Sequence, residues 1–270
     1  MESGRVRARM ICVTEGVGMG PRRLVTAVAV GALVALPLAA MPSQAVADGG
    51  YRLIMGTTET GSYPVRWNPC QEAITYTVNT ASARQKGKSA AFARAKAQSE
   101  VIAAVGRVSA ATGIPFRFAG ATTEIPRGAP DGWTAAQDAG DEIVIAYVAQ
   151  GRAATRSDLM GTGDWGLGGQ AYAYRDSTVV AGRGFVLLDR DKARRLKPGF
   201  GPGLRRGNLV LHELAHVMGL DHISDRAQLM NPTMSSSTPN GFAAGDRAGL
   251  TRIGRAAGCV PDAGDFWVGS

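Results

Sequence analysis

Residues 73–79, AITYTVN, alternate apolar side chains with threonine and predict a strand. Residues 89–112 change period. They are alanine-rich, lack proline, and place Phe92, Ala95, Val101, Val105 and Val108 at helical intervals, with Gly113 and Pro115 as the stop. PFRFAG, 115–120, predicts a short strand. EIVIAYVA, 142–149, is an unbroken apolar run suited to a strand buried on both faces. GGQAYAYR, 168–175, alternates small and aromatic residues, and RGFVLLD, 183–189, is another buried strand. GNLVLHELAHVMG, 207–219, predicts a helix, and 243–254 predict a last one with Leu250 and Ile253 facing inward. The order β-α-β-β-β-β-α-loop-α predicts an α/β layer on a mostly parallel sheet. GTGDWG, 161–166, spells a dinucleotide fingerprint, yet it follows no convincing strand and opens no helix, so it reads as a glycine-rich loop.

Composition adds a compartment. The chain has 270 residues, 45% hydrophobic and 19% charged, which is enough apolar content for a core and too little charge for a disordered tail. Arg22 and Arg23 precede an apolar run over 24–40, a polar break and Ala45-Val46-Ala47. This is the order of a signal peptide, so 1–47 reads as a removable leader and the chain as secreted, with no stable membrane anchor. Of three cysteines, Cys12 leaves with the leader; Cys70 and Cys259 remain, an even pair that predicts a disulfide in an exported chain. The formal charge is +8, and its densest run is ARRLKPGFGPGLRR, 193–206. Without aromatic interleaving that run reads as a solvated face, and no nucleic-acid partner is expected.

All three histidines lie in HELAHVMGLDH, 212–222. Residues four apart share a helix face, so His212 and His216 can grip one ion. Glu213 sits about 100° around the helix and can reach a water there. Gly219 can take the left-handed conformation that ends a helix and brings His222 back to the same point. Three neutral imidazoles and one water describe an open tetrahedral zinc site.

HELAHVMGLDH followed by LMNP resembles the metzincin zinc endopeptidases, most of all their matrixin branch and its secreted bacterial relatives. WNPCQEAITYTVN, the glycine-rich edge segment and the final helix extend the resemblance over most of residues 48–270, though only the zinc motif and the turn are specific. It implies an α/β (α+β) fold: a twisted, mostly parallel sheet of about five strands with an antiparallel edge strand, a long helix, the histidine helix and a C-terminal helix. It further implies an upper lobe over about 48–222 and a small lower lobe over about 223–270. Met230 in QLMNPTM matches the methionine turn beneath the metal. Gly168, Gly169, Gln170 and Ala171 match the edge strand that pairs with substrate, and Pro232 and Met234 match walls of the pocket beyond the cut. The sequence also departs from the family. No cysteine-bearing inhibitory prosegment is readable, and no histidine remains for a second, structural zinc. Structural calcium stays open, with Asp158, Asp164, Asp176, Asp189 and Asp191 near the loops but no calcium motif. Ile223, after the third histidine, assigns no branch.

The expected activity is that of a secreted, monomeric zinc endopeptidase acting on protein or peptide. Zinc would acidify a water and Glu213 would act as general base. Two other readings use the same residues: a zinc-stabilised binding module without catalysis, and a zinc hydrolase of a non-protein amide.

Overall fold

The computed structural model describes residues 7–12, 50–129, 132–134, 142–149 and 157–263. The apolar run and cleavage signal of the leader lie outside them. The predicted α/β layer is present. One sheet carries, in chain order, β1 (Arg7–Cys12), β2 (Ile74–Asn79), β3 (Phe116–Ala121), β4 (Ile143–Val148), β5 (Gly166–Arg175) and β6 (Thr178–Asp189). In space the order is β1-β5-β6-β4-β2-β3, with a two-residue strand, Arg66–Trp67, added beside β6. Strands β3, β2, β4 and β6 are parallel to one another; β5 returns antiparallel along β6. Each residue of β4 is buried, as the unbroken apolar run IVIAYV requires of a strand covered on both faces.

Strand β6 begins five residues before the segment that sequence pattern predicts. The stretch TVVAG continues it and closes a hairpin onto β5, with a bulge at Ala171/Tyr172. Strand β1 was not expected, since 7–12 fall in the leader as read from sequence. Its residues RARMIC lie antiparallel to Gly169–Tyr174 and complete main-chain pairing along the outer edge of β5.

Helices α1 (Ala90–Thr112) and α2 (Arg206–Met218) pack against the sheet and each other, and α3 (Ala244–Ile253) packs against both helices. Ser89 caps α1 by accepting from the Phe92 N–H, and Gly113 ends it in the left-handed conformation. The buried face of α1 is Ala93, Ala97, Glu100, Val101, Ala104, Val105 and Val108. Phe92 and Ala95 belong to the other side; Phe92 is 48% exposed. Small alanines fill the seam between α1 and α2, so the largest apolar residue of the helix does not mark its inner face.

That seam contains charge. Glu100 and Arg206, both almost fully buried, pair at 2.6 Å, and the second Glu100 oxygen accepts the Gly199 N–H at 2.8 Å. The basic run 193–206 is therefore not a uniformly solvated face, because its last arginine is the first residue of α2 and points inward. At the other end of α2, the buried Trp67 donates its Nε1–H to the Val217 carbonyl at 2.8 Å. Cys70 and Cys259 form the predicted disulfide across 189 residues of chain. Among the described residues no helix is long and apolar enough to cross a membrane. Replacing Glu100 by Ala should leave a buried guanidinium unpaired, and urea melts should register a loss of about 3–5 kcal/mol.

Candidate metal centre

Helix α2 is buried along its whole length, and its sequence explains the site it carries. His212 and His216 lie one turn apart on the same face. Gly219 follows at φ 114°, and a Cβ there would overlap the Val65 carbonyl, so only glycine permits the turn. The chain then reverses into Leu220–Asp221, and Asp221 accepts the His222 N–H at 2.7 Å. The three histidine Nε2 atoms form a triangle 3.1 Å on each side, whereas ligands about 2.0–2.1 Å from a tetrahedral zinc stand roughly 3.3 Å apart. Among the described residues this is the group of His, Cys, Asp or Glu able to converge on an ion.

The outer ring nitrogens settle how two of the rings are protonated. His212 Nδ1 lies 2.8 Å from the Leu229 carbonyl and His216 Nδ1 2.7 Å from the Leu220 carbonyl. A carbonyl only accepts, so each Nδ1 carries the proton and each Nε2 presents a lone pair. Burial holds both rings neutral: it pushes His212 down to about 3 and His216 well below the usual imidazole value. Lone pairs facing each other at 3.1 Å repel, and a cation at the centre relieves that repulsion. The donor set therefore fits zinc.

Glu213 is buried beside the triad. Glycines 166 and 168 of β5 make room for it, since a Cβ at either would overlap Glu213. Glu213 Oε1 is buried with no hydrogen-bond partner. Burial first, and then the nearby negative charge of Asp164, raises the Glu213 carboxyl well above its ordinary range.

The remaining predicted residues divide by location. Met230 is buried in a tight turn whose preceding residue, Leu229, supplies the carbonyl that holds His212. Gly169, Gln170 and Ala171 face β1 across the strand edge, and Gln170 is fully buried with both amide atoms unpartnered. Pro232 is half-buried, and Met234 packs into the main core with Met230.

Residues 133–253 match the family model of the matrixin peptidases. The match supports a matrixin-like metzincin assignment. Matrixins are zinc enzymes, in keeping with a triad that could bind a metal ion. No curated protein matches this matrixin-like chain.

Sequence reading missed Asp246. This fully buried acid near the start of α3 accepts the Leu229 N–H at 2.7 Å, the Met230 N–H at 3.2 Å and the Ala243 N–H at 2.8 Å. It ties the methionine turn to α3 and, through Leu229, braces His212. The only sequence cue is an acid in the first turn of a helix. Asp246→Ala should weaken zinc binding about 10–100-fold, as loss of a group orienting a ligand does. Competition with a zinc-binding dye would measure the change.

Proposed function

We propose that this matrixin-like chain is a secreted zinc-dependent endopeptidase in which His212, His216 and His222 hold the metal and Glu213 is the general base. The observation that carries the reading is the buried Glu213 carboxylate, with one oxygen unpartnered, in the residue next to a histidine whose Nε2 faces two others. A purely structural zinc site has no use for such a group. Zinc, when bound, supplies an acidified water and a Lewis acid for the peptide carbonyl.

The chain's own residues supply the rest. Glu213 Oε1 accepts a proton from the attacking water, and its raised affinity for protons lets it hold that proton and deliver it to the departing amine. An extended peptide pairs with the outer edge of β5 around Gly168, Gly169, Gln170 and Ala171, the edge along which residues 7–12 already lie as a strand. The unpartnered Gln170 amide offers such a peptide a further hydrogen bond once it is uncovered. Pro232 and Met234 follow the methionine turn and form a wall on the leaving-group side. Met230 itself packs beneath the site. Export fits the disulfide and the leader sequence.

Purified protein incubated with unfolded casein should cleave it, and a chelator should stop the cleavage. Glu213→Ala should keep about one zinc per chain and lose at least roughly 10²-fold in kcat, the scale of a lost general base. Zinc binding by the native chain without cleavage would favour the binding-module reading. Cleavage of small amides but not casein would favour the non-protein hydrolase. Because residues 7–12 occupy the strand edge, a chain beginning at Asp48 should show a lower KM for casein-derived peptides than the full chain. Equal KM values would mean that β1 does not compete with substrate.

A further inference from the structure

The five aspartates near the loops do not build a calcium cage. Asp158 accepts the Gly128 N–H at 2.7 Å, and Asp164 closes its own loop by accepting the Gly161 N–H at 2.8 Å. Asp191 pairs with Arg190 at 3.3 Å and Arg194 at 3.4 Å. Asp176 sits exposed at the tip of the β5–β6 hairpin. Asp189 is buried and caps the helical turn Arg190–Ala193 through the Asp191 and Lys192 N–H groups. Calcium asks for about six to eight oxygens converging on one point, and these carboxylates do not converge.

A cation is nevertheless held among these loops. Lys192 Nζ donates to the carbonyls of Thr162 and Asp164, both at 2.7 Å, and lies 4.0 Å from Asp189 Oδ2. Two main-chain carbonyls and a buried carboxylate around one positive charge are the donors a hard cation takes. Here that cation is an ammonium attached to the chain, and its side chain is only 18% exposed. The cradle lies where it affects the site. The Asp189 N–H donates to the Trp165 carbonyl at 3.0 Å, and the next residue, Gly166, opens β5 and packs against Glu213.

We propose that Lys192 is a built-in structural cation: its ammonium fastens loop 161–165 to the end of β6, and so seats the start of β5 on the histidine helix without a divalent ion. Lys192 is thus a positioning residue. The inference concerns the loop's anchoring and does not depend on hydrolysis.

The test is thermal melting of the zinc-loaded full chain, freed of calcium and then given up to about 5 mM calcium chloride, above the ~10⁻³ M weak end of extracellular calcium sites. The native chain should not shift by more than about 1 °C, and Lys192→Met should melt about 3 °C lower with or without calcium. Hydrogen exchange should quicken at the Gly161 and Gly168 amides in that variant, while β4 stays protected. Lys192→Glu converts the cradle to one with two carboxylates. It should melt lower without calcium and recover when calcium is added. A native chain stabilised by calcium by more than about 3 °C would overturn the proposal. So would a Lys192→Met variant unchanged in melting and exchange, or a Lys192→Glu variant that calcium does not move.

Discussion

The close approach of α2 to β5 is the constraint on which the site depends. At Gly166 and Gly168 the strand has no side chains; the Glu213 carboxylate takes the space at the first and the Glu213 main-chain carbonyl the space at the second. Packing between a helix and a sheet ordinarily keeps a layer of side chains between them. Removing that layer leaves the Glu213 carboxylate buried with Oε1 unpartnered, and burial, with the nearby charge of Asp164, raises its proton affinity. The same strand presents its other edge to an extended chain segment. One missing layer therefore fixes both the carboxylate and the line along which a peptide would pass.

Such a contact holds only if the helix cannot slide. Buried polar groups pin it at three levels: Arg206 to Glu100 at the first residue, Val217 to Trp67 near the last, and His212 to the Leu229 carbonyl between them. Asp246 fixes Leu229 in turn. A buried polar group that loses its partner costs about 1–3 kcal/mol, and a charged one more. A small shift of α2 would break several of these at once, so apolar packing sets where the helix lies and the polar pins set its register.

Sequence reading found what periodicity and motif spacing encode. The runs at 74–79, 143–148 and 183–189 are strands, and the histidines at 212, 216 and 222 converge, because helical spacing and one left-handed glycine dictate the geometry. It failed where identity and environment part company. Phe92 looked like a core residue and is exposed; Arg206 closes a run that looked like a solvated face and is buried against Glu100. A partner brought in by tertiary folding leaves no trace in local pattern. Glu100 and Arg206 meet only because α1 and α2 cross, and Asp246 reaches the methionine turn only because α3 folds back on it. Strand β1 was missed for a different reason: leader composition masks a segment whose pairing comes from an open edge, not from its own sequence.

The triad also bears on stability. With Nδ1 of His212 and of His216 tied to main-chain carbonyls, neither ring can turn its lone pair away from the centre. Burial opposes relief by protonation, since His212 would gain its second proton only near about 3. The remaining ways out are a cation or local unfolding. Unfolding would have to release the α2 terminus, the Gly219 turn and Leu229 together, because these are the groups that hold the rings. A metal bound by the triad would therefore couple its binding free energy to the elements that shape the site.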